Sequence, residues 1–186
     1  MSVEKKVGTW YTVFGMLYFI RIEGAIMSGN DFFVPLSKIV SEFSLEGLNY
    51  TTELAQTKIS SADVNRPGLQ LGGFFEYFDP TRIQIIGNGE KAFIDRIPEN
   101  LLRERFDMFF AHHPVAVVVT RGLPVLDCMR DSAERYLVPL LRSTDITSVF
   151  MSNVISYLNV ELAPRETIHG VLVEVYGEGV LLLGES

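Results

Sequence analysis

The feature that most limits what this sequence can fold into is a short, unbroken run of β-branched residues. Residues 115–122 read VAVVVTRG. Such residues favour strands, and a strand without polar alternation has both faces covered, as in a parallel sheet. A segment with helical periodicity, Leu126–Tyr136, comes next, and a second apolar strand, VPLLRS, occupies residues 138–143. Strands that alternate with helices in this way predict an α/β fold.

The alternation of strands and helices continues on both sides of this region. The expected elements are a short amphipathic helix in residues 33–46, a strand at 58–63, a strand over Arg82–Gly87, a turn at Gly87-Asn88-Gly89, two helical pieces in 91–110 broken at Pro98, and a helix over Asp145–Leu158 with Ser or Thr caps near its start.

Residues 65–80, NRPGLQLGGFFEYFDP, combine turn residues with a group of aromatic side chains. We expect a loop followed by a helix that buries this group in the core, with an interaction surface as the alternative. The aromatic group consists of Phe74, Phe75, Tyr77 and Phe78.

The beginning of the chain has an apolar run that imitates a targeting signal. Lys5 and Lys6 precede apolar residues from Trp10 to Ile20, but Arg21 and Glu23 interrupt the run short of the ~20 residues that span a bilayer. We treat residues 1–30 as an N-terminal extension, and translation that starts at Met27 is a further hypothesis. The α/β domain is expected to cover residues 31–160, and residues 161–186 a linker and further strands.

Charge and cysteine content exclude several classes of function. The net charge is −7 and the isoelectric point is near 5.0, whereas broad attachment to nucleic acid or to anionic lipid requires a concentrated basic face. The chain has one cysteine, Cys128, so it can form no internal disulfide. We expect no nucleic-acid or membrane partner, a cytoplasmic location, and a Cys128 that is a small side chain inside a helix rather than a reactive thiol.

The last 21 residues, ETIHGVLVEVYGEGVLLLGES, predict a β-hairpin. Valines alternate from Val171 to Val175, Gly177-Glu178-Gly179 forms the turn, and residues 180–183 form an apolar second strand. A phosphate-binding P-loop begins with such a strand followed by a glycine, and it ends in a lysine and a hydroxyl residue that are absent here. By itself this ending is a weak signal of nucleotide binding.

Four stretches together resemble the HPr kinase/phosphorylase family. They are DVNRPGLQLGGFFEYFDPTRIQIIG at residues 63–87, VVVTRGL at 117–123, VPLLRS at 138–143, and LAPRETIHGVLVEVYGEGVLLLGES at 162–186. The last stretch is the most specific, because family members have a similar hairpin that leads into their nucleotide-binding loop.

The resemblance implies an N-terminal Mur-ligase-like α/β domain, followed by a β-hairpin from a truncated P-loop kinase domain. Members of the family use ATP or pyrophosphate with Mg²⁺ to phosphorylate a regulatory serine of the carrier HPr, and they remove that phosphate with inorganic phosphate. This activity controls carbon catabolite repression. The family forms homohexamers through its catalytic domains. We expect residues 1–186 alone to be inactive, to bind neither nucleotide nor metal, and to form a monomer or weak dimer.

The resemblance also assigns a short set of site residues. His169, in the family's HGV context, corresponds to an active-site histidine, and Gly184, Glu185 and Ser186 correspond to the opening of the nucleotide loop. A histidine near a transferred phosphate can orient or protonate an oxygen. Without the resemblance, His169 is more simply a residue at the edge of a strand. No metal ligand is assigned.

Further candidates come from residue type alone. His112 and His113 suit a solvated helix end better than a metal site, because adjacent side chains point in different directions. Arg66 either binds an anion or belongs to a structural turn. Arg121 and Arg142 each follow an apolar strand, where open α/β sheets bind ligands, and surface ion pairing is the alternative. A stand-alone α/β regulatory or ligand-binding domain is therefore the second hypothesis for function.

Overall fold

The computed structural model describes residues 8–13, 16–21, 32–49, 54, 56–163, 170–175 and 178–183. The chain divides into two units. One unit is Asp31–Ala163, and the other comprises Met1–Asn30 together with Pro164–Ser186. Each unit is described by itself below.

The described residues form the following elements. The strands are β1 (Gly8–Val13), β2 (Met16–Arg21), β3 (Val34–Pro35), β4 (Glu46–Gly47), β5 (Lys58–Ile59), β6 (Val64–Asn65), β7 (Ile83–Ile86), β8 (Val117–Val119), β9 (Leu140–Arg142), β10 (Gly170–Val175) and β11 (Glu178–Leu183). The helices are α1 (Leu36–Glu42), α2 (Gly68–Leu71), α3 (Asn88–Ile94), α4 (Glu99–Phe110), α5 (Asp127–Arg135) and α6 (Thr147–Glu161). Within the described ranges, no helix is both long enough and apolar enough to cross a bilayer.

The larger unit is built on a mixed sheet whose described strands have the order β4-β9-β8-β7-β6. Strands β6, β7, β8 and β9 are parallel, and β4 is antiparallel to β9 at one edge. A parallel strand must be followed by a crossover before the next strand begins, and α2 to α5 lie in these crossovers. A separate short ladder pairs β3 with β5.

Both faces of the sheet are covered, which explains why its strands read as continuous apolar runs. Successive side chains point to opposite faces, so Val118 faces one layer while Val117 and Val119 face the other. One layer packs Phe150 and other apolar residues of α6, together with α1, on the sheet. The second layer packs α4 and α5 on it through residues such as Phe106. The α/β class predicted from the sequence is confirmed.

Most of the predicted elements of this unit are present. The run at 115–122 contains β8, which is parallel and buried on both faces, and Ile83 and Ile85 of β7 share one face as expected. The helices on either side of Pro98 are α3 and α4, and the two later helices are α5 and α6. The two-residue strand β4 lies at the sheet edge and has no periodicity that could reveal it.

Three local predictions are wrong. Gly87-Asn88-Gly89 is the start of α3, not a turn between other elements. Helix α6 begins after Ile146, and no Ser or Thr side chain caps it. The segment 65–80 contains only the four-residue α2, and its aromatic group is not all buried: Tyr77, at positive φ, is 93% exposed and Phe74 is also exposed.

The smaller unit contains two antiparallel hairpins. Strands β10 and β11 pair with Val175 opposite Glu178, so the predicted hairpin exists and its second strand begins two residues earlier than expected. Strands β1 and β2 form the other hairpin, which was not predicted from the apolar run at 10–20. Strand β2 lies against β11. Met27, the hypothetical start, lies outside the described residues.

Candidate functional site

A cleft of about 220 Å³ lies where the parallel strands β6 to β9 end. Its position follows from the course of the chain. Helix α3 leaves β7 and packs on one face of the sheet, whereas α6 leaves β9 and packs on the opposite face. Helices that leave a sheet toward opposite faces open a crevice at its carboxyl edge. The cleft is lined by Arg66, Asn88, Gly89, Arg121, Thr147, Ser148 and Met151.

Arg66 follows β6 and is held in place by a buried carboxylate. Its Nη2 donates a hydrogen bond of 2.7 Å to Oε2 of Glu90, and the backbone N–H of Gly87 donates to the same oxygen at 2.9 Å. The Arg66 side chain remains 45% exposed, whereas Glu90 is buried. The pair joins the end of β6 to the first turn of α3.

The environment of Glu90 favours its charged form. Burial alone raises the pKa of this carboxyl, but the hydrogen bonds from Arg66 and from the Gly87 N–H outweigh that effect, and the pKa lies below its ordinary value. Glu90 is therefore a carboxylate at neutral pH, and it fixes the direction of Arg66.

The opposite wall of the cleft is fixed by close packing between β7, β8 and α6. The hydroxyls of Thr120 and Thr147 lie 2.7 Å apart, and Thr120 Oγ1 donates to the carbonyl of Ile86. A Cβ atom on Gly87 would lie 2.5 Å from Thr147 Oγ1. Only glycine therefore allows the start of α6 to approach the end of β7 this closely.

Arg121 occupies an unusual backbone conformation at the end of β8. Its φ is +63° and that of Gly122 is +61°, and the N–H of Leu123 donates to the carbonyl of Thr120 across this turn. The backbone N–H of Arg121 donates to the carbonyl of Asp145, which ties the turn to the loop after β9. Left-handed φ is unfavourable for a residue with a Cβ, so this position stores a small strain that glycine would relieve.

The other arginine singled out by the sequence, Arg142, does not face this cleft. It forms a bidentate ion pair with Glu46 of β4, in which Nε donates to Oε2 at 2.8 Å and Nη2 donates to Oε1 at 2.9 Å. Arg142 therefore fixes the edge strand, and the surface ion-pair interpretation is the correct one for it.

The histidine pair lies exposed just after the end of α4, in agreement with the expected solvated helix end. His112 stacks on Phe75 with ring centroids 4.0 Å apart, and its Nδ1 lies 2.8 Å from the carbonyl of Met108. The part of the chain that the structure describes contains no group of three or more His, Cys, Asp or Glu side chains that could hold a metal ion. Cys128 is partly buried in α5, and burial raises the pKa of its thiol, which disfavours the reactive thiolate.

A second, wider groove of about 510 Å³ lies between α4 and α5. Two of its charged lining residues, Arg103 and Asp107, are each paired with a residue that does not line the groove. Arg135 donates to Asp107 at 2.6 Å, and Arg103 donates to Asp131 at 3.1 Å. Because Arg103 has an acid partner and Glu104 and Asp107 add negative charge, this groove suits an anionic ligand less well than the cleft at the sheet edge does.

The residues assigned by resemblance, His169, Gly184, Glu185 and Ser186, lie outside the described residues. Among the cleft residues, Arg66 and Arg121 were candidates from the sequence. Asn88, Gly89, Thr147 and Ser148 were not, and neither was Glu90. Gly87-Asn88-Gly89 and Thr147 directly follow apolar strands or the loops after them, and this position was the only sequence signal that could have indicated a site. The signal is weak, because many residues with a purely structural role occupy the same position.

Known proteins resemble the chain over most of its length. The family described as the HPr serine kinase N terminus matches residues 34–158. A protein of Caldicellulosiruptor bescii named HPr kinase/phosphorylase is 42% identical over 155 residues, which cover 83% of this chain and 50% of that protein. Proteins of the same name from Thermoanaerobacter sp. and Clostridium perfringens are 43% and 40% identical to this chain. Each alignment covers 82% of this chain, and it covers 50% of the Thermoanaerobacter protein and 49% of the Clostridium protein.

The chain thus spans about half the length of the curated relatives that it matches. Among solved structures, the CBS and DRTGG domains of the regulatory region of Clostridium perfringens pyrophosphatase, complexed with the activator diadenosine tetraphosphate, align with a TM-score of 0.46 and 17% identity, over 69% of this chain and 47% of that one.

Proposed function

The chain belongs to the HPr kinase/phosphorylase family, and from this membership we propose that it is the N-terminal part of an enzyme that phosphorylates and dephosphorylates HPr. The observation that carries the proposal is the 40–43% identity to proteins of that name, together with the family match over residues 34–158. In this proposal the enzyme acts on a regulatory serine of HPr, uses ATP or pyrophosphate with Mg²⁺, controls carbon catabolite repression in the cytoplasm, and assembles as a hexamer.

The described α/β unit has an accessory role in this proposal. The catalytic residues belong to the segment after it, where His169 lies beside the transferred phosphate and Gly184, Glu185 and Ser186 open the nucleotide loop. Phosphoryl transfer depends on a lysine and metal-binding groups that neutralise charge. The 186 residues contain no complete G-x-x-x-x-G-K-[ST] motif, so a polypeptide of these residues is expected to be inactive.

The proposal is tested by comparing residues 1–186 with the product of the longest reading frame that contains them. Both are incubated with HPr, ATP and Mg²⁺, and phosphoserine is measured by mass spectrometry. The longer product is expected to phosphorylate HPr, and residues 1–186 are not. If the downstream codons contain no glycine-lysine-Ser/Thr continuation, the catalytic assignment fails.

A matched pair of histidine variants tests the assignment within the longer product. His169→Ala is expected to lower the rate by ~100-fold or more, the magnitude typical of a lost acid–base group. His112→Ala changes a histidine that stacks on Phe75 in the α/β unit, and it is expected to keep nearly full activity. Equal effects of both substitutions would contradict the role of His169.

The second candidate is a regulatory or ligand-binding domain without catalysis, and the cleft between Arg66 and Arg121 favours it. The two candidate functions predict different outcomes for HPr. A domain that only binds a ligand would leave HPr unmodified in every product of the reading frame, whereas the first candidate requires modification by the longer one.

A further inference from the structure

We propose that the cleft at the carboxyl edge of the sheet binds a small phosphate-type dianion, held between the guanidinium groups of Arg66 and Arg121. The ligand is inorganic phosphate or the phosphate group of a small monoester. The inference concerns the α/β unit alone, so it does not depend on the catalytic proposal.

The charges that line the cleft are the first support. The chain carries a net charge of −7, yet this concave surface presents two arginines. The only carboxylate that pairs with either of them in the described part of the chain is Glu90, which binds Arg66. A site with two guanidinium groups and one carboxylate therefore retains a net positive charge.

Arg66 can still bind an anion although it is already paired with Glu90. The Glu90 contact uses one of the five N–H donors of its guanidinium. Glu90 is buried and also bound by the Gly87 N–H, so it holds Arg66 in place, and the Arg66 side chain stays 45% exposed. A planar guanidinium matches the oxygen spacing of a phosphate group better than a lysine does.

Arg121 supplies the second support. It has a left-handed φ next to a glycine, at a position where glycine would be easier to accommodate. Among the ion pairs that the described residues form, none involves Arg121. A strained position thus carries a cation that has no structural partner in this part of the chain, and an anionic ligand supplies one.

The size and the remaining lining fit a small ligand. Pockets for drug-sized ligands have volumes of about 300 to 1,000 Å³, so a cleft of about 220 Å³ suits a single phosphate group with little attached. Ser148 and Asn88 also line the cleft, and their side chains carry a hydroxyl and an amide that can donate hydrogen bonds.

The binding test is a ¹H–¹⁵N titration of the 186-residue chain with sodium phosphate and, separately, with ribose 5-phosphate. Sodium chloride at equal ionic strength and unphosphorylated ribose are the controls. We expect saturable shifts of the Gly89, Gly122 and Ser148 amides. Saturable shifts with both ligands would show that the cleft recognises the phosphate group itself. Saturable shifts with only one of them would show whether the cleft prefers inorganic phosphate or a phosphate monoester. If neither ligand gives saturable shifts by about 50 mM, where even weak millimolar binding would be visible, the proposal is wrong.

Variants separate binding from folding. Arg121→Gly removes the guanidinium while glycine suits the left-handed φ, so the chain should fold and its phosphate affinity should fall by ~10-fold or more, as for a lost hydrogen bond between charged groups. Glu90→Gln keeps an acceptor oxygen for Arg66 but removes the competing negative charge, so it should raise the affinity several-fold. Arg103→Gln, in the groove between α4 and α5, is the matched control and should leave it unchanged. An Arg121→Gly variant that binds phosphate like the parent chain would overturn the proposal.

Discussion

Glu90 shows how one side chain organises the end of a sheet. Its Oε2 accepts hydrogen bonds from the Arg66 guanidinium and from the Gly87 backbone, and the carboxyl group is buried. A buried carboxylate is tolerated only when such partners replace the lost water. Glu90 therefore positions the guanidinium group of Arg66, and it also makes the stability of the fold depend on the protonation of its own carboxyl group.

The first prediction concerns the pH dependence of this link. The pKa of Glu90 is lowered on folding, because the hydrogen bonds from Arg66 and Gly87 exceed the opposing effect of burial. A group with a depressed folded pKa contributes stability above its unfolded value, near 4.5, and loses that contribution as the pH falls through the folded value. Glu90→Gln should therefore lower the free energy of unfolding by about 1–2 kcal/mol at pH 7, with a smaller difference at pH 3.

Urea unfolding at pH 7, 5 and 3 measures this difference. Glu76→Gln, which neutralises an exposed carboxylate on the loop after α2, is the control and should change the free energy by less than about 0.5 kcal/mol. A Glu90→Gln deficit of constant size at all three pH values would show that the carboxylate is not the source of the stability.

The second prediction concerns Gly87. Gly87→Ala places a Cβ within 2.5 Å of Thr147 Oγ1 and 3.0 Å of its Cγ2, so the start of α6 must shift. Overpacking of this kind costs about 1–3 kcal/mol. Chemical denaturation should show a loss in that range for Gly87→Ala and almost none for Gly68→Ala, whose Cβ would meet nothing within 4 Å.

A second-site change identifies the cause of that loss. Thr147→Ala removes the atoms that clash, so the double variant should be more stable than the sum of the two single changes predicts, by about 0.5 kcal/mol or more. Simple additivity would mean that Gly87 is needed for a reason other than its contact with Thr147.

Part of the site was predictable residue by residue. Arg66 and Arg121 were identified as candidates because each follows a turn or a strand end, where ligand-binding residues are common. Glu90 and Thr147 were not, since Glu90 lies 24 residues after its partner Arg66 and Thr147 lies 27 residues after its partner Thr120. No local periodicity encodes a contact at such separations.

At the scale of elements, α6 is the longer of the two helices, α1 and α6, that cover the sheet face opposite to α4 and α5. Its buried residues Phe150, Val154 and Leu158 recur at helical spacing and meet Ile83 and Ile85 of β7. The sequence predicts this helix because its apolar residues repeat. Its first turn has no side-chain cap, so the capping expected from the sequence does not mark where it begins.

The third prediction tests this packing. Phe150 is 0% exposed and makes an edge-to-face contact with Phe43, with ring centroids 5.7 Å apart. Phe150→Ala should lower the free energy of unfolding by about 3–5 kcal/mol, since it removes a buried ring and leaves a cavity. The adjacent Val149 is 47% exposed, and Val149→Ala should change the free energy by no more than about 0.5 kcal/mol in the same urea titration. Comparable losses would contradict the assigned helix face.

The aromatic segment after α2 shows where element-level reasoning fails. Phe75 and Phe78 pack on the core from a loop, while Phe74 and Tyr77 of the same segment are exposed. Aromatic residues are enriched in cores, but their density in a sequence does not determine which of them the backbone turns inward. The positive φ of Tyr77 directs the chain differently from the helix that the composition suggests.

At the scale of the whole molecule, Asp31–Ala163 forms a unit with its own two core layers. The fourth prediction is that a polypeptide of residues 31–163 folds by itself, because both faces of its sheet are covered within this range. It should unfold in urea in one cooperative transition, with a slope of about 1–3 kcal/mol per molar.

A shorter polypeptide is the matched control. Residues 31–143 lack α6 and leave one sheet face covered only by the short helix α1, so this polypeptide should show no cooperative transition by circular dichroism. A non-cooperative transition for residues 31–163 would mean that the unit requires other parts of the chain.

The sequence by itself determined the α/β class, the positions of the buried strands and most helices, and the resemblance to one enzyme family. These depend on residue type and on periodicities of two and 3.6, which are local properties of the chain. The tertiary structure alone decided that Arg66 and Arg121 line one cleft, that Arg142 instead fixes an edge strand, and that Gly87 must lack a side chain. Those results depend on the order of strands in the sheet and on the face to which each helix crosses, because these bring together residues that are far apart in the sequence.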